Sequence, residues 1–209
     1  MEPKSIKPVG SLFVVSGPSG SGKSTLCKAA AAQAGAFLSV SATTRPPGAT
    51  EIDGQDYYFI SEEDFLAEIK ARQFLEYARV FDYYYGTPAQ PVMAKLDQGL
   101  TVVLEIDVQG GAQVFEQYPD AIGVLIVPPS LEEMKRRLCR RGRDNPEAIH
   151  KRLEKAQAEV ERAQANQHYR HTVVNDDLDR SIAELTELFR SPPANQVSPS
   201  NILNGESAK

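Results

Sequence analysis

The stretch Gly17-Pro18-Ser19-Gly20-Ser21-Gly22-Lys23-Ser24 decides the fold, because it matches the pattern G-x-x-x-x-G-K-[ST] of a phosphate-binding loop. The apolar run Leu12–Ser16 before it predicts a buried strand, and the alanine-rich sequence after it predicts a helix. Such a loop directs backbone N–H groups inward, and the helix N-terminus adds a favourable dipole. We therefore predict that it binds nucleotide phosphates, with Lys23 bridging the β and γ phosphates and the Ser24 hydroxyl binding Mg²⁺.

Short strand patterns alternate with helical patterns along the rest of the chain, which is typical of βαβ units. The other predicted strands are residues 37–41, 101–107, 122–127 and 171–174. Several of them are near-continuous apolar runs, as expected when helices cover both faces of a parallel sheet. We predict an α/β fold: a three-layer P-loop NTPase core with a mainly parallel sheet, an inserted subdomain and a helical lid.

The predicted domain spans residues 10–190. Its core consists of residues 10–40, 100–128 and 153–190. Residues 41–99 are rich in Pro, Gly, Asp and Tyr and predict the insert, while residues 129–152 predict the lid. Capping patterns predict helices that start after Ser61 and Ser130, and a further helix is predicted from Thr87 to Gly99. Residues 191–209, rich in Ser, Pro and Asn, predict a disordered tail.

The composition excludes several classes of protein. The 209 residues are 41% hydrophobic and 24% charged, which is typical of a globular domain. No apolar run approaches the ~20 residues that a membrane span needs, and none at the start predicts a signal peptide. A net charge of -5 argues against general nucleic-acid binding. Cys27 and Cys139 stand far apart, so we predict neither a disulfide framework nor a zinc site, and we expect a cytoplasmic protein.

Two carboxylates end the predicted strand at residues 101–107. Because side chains alternate along a strand, Glu105 and Asp107 are expected on the same side. One is expected to hold the metal through water and the other to face the acceptor of the phosphoryl group. The alternative, polar residues at the exposed end of a strand, is weakened by the phosphate-binding loop nearby in the fold.

The insert carries the side chains that distinguish among acceptors. It offers a guanidinium, two phenols and a hydroxyl for a phosphate monoester. It also offers the carboxylate of Glu76, which can accept two parallel hydrogen bonds. Guanine presents adjacent N1–H and N2–H₂ donors, so a buried Glu76 would select guanine over adenine. For the tyrosines, core packing or loop anchoring stays an alternative.

The insert segments, in their order, resemble those of the guanylate kinases over about residues 10–190. They are Ser41-Ala42-Thr43-Thr44-Arg45-Pro46-Pro47, Glu51-Ile52-Asp53-Gly54-Gln55-Asp56-Tyr57-Tyr58-Phe59, Phe74-Leu75-Glu76-Tyr77-Ala78 and Tyr84-Tyr85-Gly86-Thr87. The resemblance implies Mg²⁺-dependent, in-line phosphoryl transfer from ATP to GMP, giving ADP and GDP. The partners it implies are these two nucleotides, and the composition argues against nucleic acid and membrane as partners.

The resemblance also implies roles for individual residues. The residues implied to bind the GMP phosphate are Ser41, Arg45, Tyr57 and Tyr85. Those implied to read the guanine are Glu76, Thr87 and Asp107, and Glu105 matches the acid close to Mg²⁺. The residues implied to act on the ATP side are Arg137 and Arg141 in the lid, Arg152 between the two substrates' phosphates, and Asn175 near the adenine. A solvated charged face stays an alternative for the basic residues of the lid.

One position departs from the family pattern T-T-R-x-P-R-x-G-E, because Gly48 stands where the second arginine is expected. A charge-assisted contact of that kind contributes roughly 1 to 3 kcal/mol, so we predict weakened GMP binding with activity retained. We expect Gly48→Arg to lower the KM for GMP in a steady-state assay. An unchanged KM for GMP in that variant would contradict this prediction.

Two rival functions stay open from the sequence. The first is a kinase for another small phosphate acceptor, against which Glu76, Thr87 and Asp107 argue because they form a base-reading set. The second is a non-catalytic guanylate-kinase-like module that binds phosphopeptides. Such modules typically have degraded phosphate-binding loops, whereas Lys23 and Ser24 are present here. Gly48 is the feature that favours this second rival.

Overall fold

The structure is a computed structural model that describes residues 10–80, 82–140 and 146–192. Its strands are β1 (Leu12–Ser16), β2 (Phe37–Leu38), β3 (Ala42–Thr43), β4 (Tyr58–Phe59), β5 (Phe74–Val80), β6 (Tyr83–Pro88), β7 (Val102–Glu105), β8 (Ile122–Val127) and β9 (Tyr169–Val174). Its helices are α1 (Lys23–Ala34), α2 (Glu62–Lys70), α3 (Ala89–Leu96), α4 (Val108–Gln117), α5 (Leu131–Arg140), α6 (Pro146–Ala165) and α7 (Leu178–Arg190).

The central sheet has five parallel strands in the order β2-β7-β1-β8-β9. Alternate residues of β1 point to opposite faces. Phe13 lies in one buried cluster with residues of α1 and α7, and its ring meets Phe189 edge-on at 5.0 Å between centroids. Val14 lies in the other cluster, with residues of α3, α4 and α6. Helices therefore cover both faces, and the predicted α/β fold with a mainly parallel sheet is confirmed.

A second sheet of four strands, in the order β4-β3-β6-β5, lies within the predicted insert. A small aromatic core supports it, in which Phe65 of α2 stacks on Phe74 at 4.4 Å and on Tyr84 at 5.4 Å between ring centroids. The two sheets share no strand among the residues described. Their separation allows each sheet to carry its own set of binding side chains.

Local signals in the sequence gave correct helix starts in two places and a wrong one in a third. The Oγ of Ser61 accepts a hydrogen bond from Asp64 N at 3.0 Å, and the Oγ of Ser130 accepts one from Glu133 N at 3.1 Å. The predicted helix start at Thr87 is wrong. Thr87 lies in β6, paired with β5, and α3 begins at Ala89 after Pro88. Strand pairing there outweighs the local helix signal.

The other differences concern the ends of elements. The strand predicted over residues 101–107 ends at Glu105, because the side chain of Asp107 accepts a hydrogen bond from Gly110 N at 2.8 Å and caps α4. Helix α3, within the predicted insert, packs Val92 and Leu96 into a buried cluster of the central sheet. Helix α6 runs continuously past the predicted boundary between lid and core at residues 152 and 153.

The predicted tail lies outside the described residues from 193 onward. None of the described helices is both long and apolar enough to span a membrane.

Candidate active site

The phosphate-binding loop connects the end of β1 to the start of α1. Two of its glycines adopt left-handed backbone conformations, with φ of 90° at Gly20 and 87° at Gly22. A side chain at Gly22 would also place its Cβ 2.2 Å from Nδ2 of Asn175. The backbone N of Ser21 donates to Pro18 O at 3.1 Å and closes the turn. The loop therefore depends on glycine for its backbone shape and for the close approach of Asn175.

Lys23, Ser24 and Glu105 meet at the mouth of this loop. Nζ of Lys23 donates to Gly17 O at 3.3 Å and lies 4.0 Å from Oε1 of Glu105. The hydroxyl of Ser24 donates to the same carboxylate oxygen at 2.5 Å. The parallel pairing of β1 with β7 places the Glu105 carboxylate beside the loop. A hydroxyl and a carboxylate this close supply the hard oxygen donors that Mg²⁺ prefers.

A cleft of about 430 Å³ lies between the phosphate-binding loop and the second sheet. The loop contributes Gly17, Pro18, Ser19, Gly20, Gly22, Lys23 and Ser24 to its lining. The predicted acceptor and metal residues that line the same cleft are Ser41, Tyr57, Glu76, Tyr85, Glu105 and Asp107. The structure thus brings the phosphate-binding loop, Glu105 and most of the predicted acceptor residues to one cavity. Arg45 and Thr87 lie behind the lining, against Tyr57 and Glu76 respectively.

Glu76 is a buried carboxylate that accepts a hydrogen bond from Thr87. The residue is only 6% exposed, and its Oε1 accepts from the Thr87 hydroxyl at 2.7 Å. Its Oε2 lies against Gly110, where an added Cβ would stand 2.5 Å away. Burial raises the pKa of Glu76 to about 7, the hydrogen bond from Thr87 opposes this, and the Asp107 carboxylate adds to it. Glu76 is therefore a desolvated acceptor suited to a ligand that brings two N–H donors.

The raised pKa of Glu76 has a consequence for stability. Between its ordinary pKa of 4.5 and about 7, the folded protein binds a proton that the unfolded chain has lost, so this group's contribution to the free energy of unfolding falls as the pH rises. Above pH 7, where Glu76 is ionised in the folded protein as well, its raised pKa lowers the free energy of unfolding by about 3 kcal/mol. We expect Glu76→Gln to raise the Tm of the substrate-free protein by several degrees at pH 8 and much less at pH 5. Thermal unfolding at both pH values measures this, and equal shifts would contradict it.

Arg45, predicted to bind the acceptor phosphate, lies beside Tyr57 and pairs with Glu51. Its guanidinium donates from Nη1 and Nη2 to the two carboxylate oxygens of Glu51, at 2.9 and 2.8 Å. Its Cζ lies 5.5 Å from the ring centroid of Tyr57, and that ring lies 6.0 Å from the ring of Tyr85. Ser41 completes the group on the cleft wall. The Arg45 guanidinium and the phenols of Tyr57 and Tyr85 therefore lie close together, and both tyrosines, Ser41 and Glu76 line the same cleft.

A second cavity of about 350 Å³ adjoins the phosphate-binding loop and α5. Arg137 borders it, donating from Nε to Glu133 at 2.8 Å, from Nη2 to the backbone O of Asn175 at 2.8 Å and from Nη1 to Ser21 O at 3.4 Å. Nδ2 of Asn175 donates to Ser21 O at 2.7 Å. These bonds join α5 and the end of β9 to the loop. Arg137 and Asn175, both predicted to act on the ATP side, are thus brought to the phosphate-binding loop.

The remaining predicted lid residues are only partly described. Nη1 of Arg152 lies 3.5 Å from the Ser19 hydroxyl, which places this side chain over the phosphate-binding loop. The prediction for Arg141 falls on a residue outside the described part of the chain.

A sequence model of the guanylate kinase family matches residues 9–192. The chain belongs to the guanylate kinase family. The guanylate kinase of Thermosynechococcus vestitus is 50% identical over 184 residues, which cover 88% of this chain and 95% of the relative. That of Caldanaerobacter subterraneus is 46% identical over 186 residues, covering 88% and 89%. The crystal structure of guanylate kinase from Anaplasma phagocytophilum aligns with a TM-score of 0.72 at 30% identity, covering 95% of this chain and 96% of that one.

Membership of the guanylate kinase family confirms the resemblance drawn from the motifs. It places the chain among the nucleoside monophosphate kinases, which are transferases. It also agrees with the cleft, in which a phosphate-binding loop faces a buried carboxylate.

The main cleft is also lined by two charged residues that were not predicted from the sequence, Lys155 and Glu159 of α6. Their side chains form an ion pair, with Nζ of Lys155 3.7 Å from Oε1 of Glu159. Burial raises the pKa of Glu159, the nearby Asp107 carboxylate adds to this, and the Lys155 and Lys23 ammonium groups oppose it. The spacing of four residues predicts a shared helix face. This spacing does not indicate that the shared face borders the cleft, because its position there depends on how α6 packs.

Proposed function

We propose that the protein transfers the γ-phosphoryl group of ATP to GMP, giving ADP and GDP. The observation that carries the proposal is that Glu76, buried and hydrogen-bonded to Thr87, lines the same cleft as Lys23 of the phosphate-binding loop. Burying the Glu76 carboxylate costs free energy, and a ligand that donates hydrogen bonds to it offsets this cost. The two adjacent N–H donors of guanine suit this role. The loop is suited to bind the phosphates of the donor nucleotide.

On the donor side, the backbone N–H groups of the loop and the ammonium of Lys23 bind the ATP phosphates. Arg137 and Asn175 lie where the second cavity meets the loop, so we assign them to the ATP side, with Asn175 near the adenine. Arg152 is assigned to the space between donor and acceptor phosphates, and Arg141 to the lid over ATP. Their cationic groups would stabilise charge on the equatorial oxygens of the transferred group and, with the lid closed, exclude water.

On the acceptor side, Ser41, Arg45, Tyr57 and Tyr85 bind the phosphate of GMP. The second set, which reads the base, consists of Glu76, Thr87 and Asp107. The acceptor oxygens of a nucleotide phosphate are ionised at neutral pH, so the in-line reaction needs no general base from the protein. The protein's contribution is therefore to position the two phosphates and to stabilise the charge between them.

The side chains at the mouth of the loop fit Mg²⁺. The Ser24 hydroxyl and the Glu105 carboxylate, 2.5 Å apart, would hold the ion, Glu105 through water. When bound, Mg²⁺ neutralises part of the phosphate charge that Lys23 also faces.

The division of the chain follows from these assignments. We propose that residues 10–40, 100–128 and 153–190 form the core that carries the phosphate-binding loop, that residues 41–99 form the GMP-binding insert and that residues 129–152 form the lid over ATP. We further propose a cytoplasmic enzyme of purine nucleotide metabolism. The wide separation of Cys27 and Cys139 in the sequence supports a reducing compartment.

The test is ADP formation from Mg²⁺-ATP with GMP, dGMP, AMP, CMP and UMP as acceptors, together with direct detection of GDP. We expect turnover with GMP well above that with AMP, CMP and UMP, and no turnover when Mg²⁺ is chelated. Turnover with AMP equal to that with GMP, or binding of GMP without transfer, would contradict the proposal.

A further inference from the structure

Glu51 and Pro46 together occupy three of the N–H donors of Arg45. The two oxygens of Glu51 accept from Nη1 and Nη2, at 2.9 and 2.8 Å, and the backbone O of Pro46 accepts from Nη1 at 2.8 Å. A guanidinium carries five N–H donors in a fixed plane. The Nε–H and one N–H of Nη2 are the other two, and they lie on one edge of that plane. An edge of this kind can bind two phosphate oxygens at once.

Arg45 lies beside two tyrosines of the main cleft. Its Cζ lies 5.5 Å from the centroid of Tyr57, and the Tyr57 ring packs edge-on against Tyr85. Both tyrosines line the cleft. The hydrogen bond to Glu51 raises the pKa of Arg45 most, burial opposes this, and a hydrogen-bonding interaction with the Tyr85 phenol raises it further.

Gly48 closes the turn that brings Glu51 to Arg45. Its N–H donates to Oε2 of Glu51 at 2.6 Å, and its O accepts from Glu51 N at 3.2 Å. A Cβ at position 48 would lie 3.0 Å from the same Oε2, so any larger residue needs the carboxylate to shift. The glycine that replaces the family's second arginine therefore takes part in holding Glu51.

We propose that Glu51 is a positioning residue for the acceptor phosphate. It occupies the Nη1 and Nη2 end of Arg45 and directs the Nε and Nη2 edge of the guanidinium toward the phosphate. Since Gly48 removes one of two expected arginines, the orientation of the remaining one determines more of the affinity in this chain. The inference rests on the proposed function, in which GMP is the acceptor.

The first test is Glu51→Gln, which keeps the size of the side chain but turns an amide N–H₂ toward a group that only donates. We expect the Kd and the KM for GMP to rise about tenfold, with kcat and the KM for ATP within about twofold of the wild type. Calorimetric GMP binding without ATP measures the Kd, and steady-state kinetics measure the other constants. Glu63→Gln, on an exposed residue of α2, is the matched control and should leave all four constants unchanged.

A double-mutant cycle separates positioning from a general structural role. In an Arg45→Ala background, adding Glu51→Gln should change the Kd for GMP by less than about twofold, because Glu51 acts through Arg45. The inference is overturned if Glu51→Gln alone leaves the Kd unchanged, if its effect is undiminished in that background, or if kcat and the KM for ATP change as much as the KM for GMP.

Failure of the inference can be told apart from failure of the proposed function. If the wild type binds GMP without phosphorylating it, the proposed function is refuted, and the Kd comparison still decides the role of Glu51. If the wild type does not bind GMP at all, both are overturned.

Discussion

Replacing Lys23 by alanine is expected to lower kcat with GMP by about 10²- to 10³-fold, because a cation fixed at the reacting phosphates is lost. Nζ of Lys23 is held in place before substrate arrives, 3.3 Å from Gly17 O and 4.0 Å from Oε1 of Glu105. Its charge therefore needs little reorganisation as negative charge shifts during transfer. Measuring ADP formation at saturating ATP and GMP gives kcat, and thermal unfolding tests whether the variant is folded.

The control for this prediction is Lys70→Ala. Lys70 is an exposed lysine in the last turn of α2, so the variant loses the same charge away from the cleft and should retain the wild-type kcat. A folded Lys23→Ala protein whose kcat stays within about tenfold of the wild type would contradict the role of this lysine.

Replacing Glu76 by glutamine is expected to lower kcat/KM for GMP by about 10²-fold and to reduce the preference for GMP over AMP. Glutamine offers one acceptor oxygen, and its N–H₂ group meets the donors of the guanine edge, so buried polar groups are left unpaired. The Thr87 hydroxyl, 2.7 Å from Oε1 of Glu76, would still hold the side chain in place. Kinetics with GMP and AMP measure the selectivity, and Glu62→Gln on the exposed start of α2 is the control.

IMP provides a sharper comparison, because its base has the N1–H of guanine but lacks the exocyclic amino group. The wild type should use IMP less well than GMP, since one of the two expected hydrogen bonds to Glu76 is missing. Glu76→Gln should then lower kcat/KM less with IMP than with GMP. An equal loss with both substrates would show that Glu76 does not read the amino group.

The central sheet and the phosphate-binding loop were predictable because their signals are local. A continuous apolar run followed by G-x-x-x-x-G-K-S predicts a buried strand, a phosphate-binding turn and a helix within one stretch of chain. The caps at Ser61 and Ser130 are local in the same way, since each hydrogen bond spans three residues. The resemblance to guanylate kinases then supplied roles that no local pattern contains.

The features that sequence reasoning missed depend on residues far apart in the chain. β3 has two residues, and its pairing with β4 and β6 defines it more than its own composition. Thr87 is a strand residue because it pairs with Glu76, eleven positions earlier. Lys155 and Glu159 reach the cleft through the packing of α6. Such long-range contacts leave no periodic pattern in one sequence.

The separation of the two sheets bears on how new substrate preferences arise. The ladders of the central sheet support the phosphate-binding loop, while residues 41–88 carry most of the side chains assigned to the acceptor, and no strand belongs to both sheets among the residues described. Substitutions in the second sheet can therefore alter acceptor binding without breaking a ladder that supports the phosphate-binding loop. Gly48, in the connection between β3 and β4, is a variation of this kind: it departs from the family pattern in a chain whose phosphate-binding loop keeps its full motif.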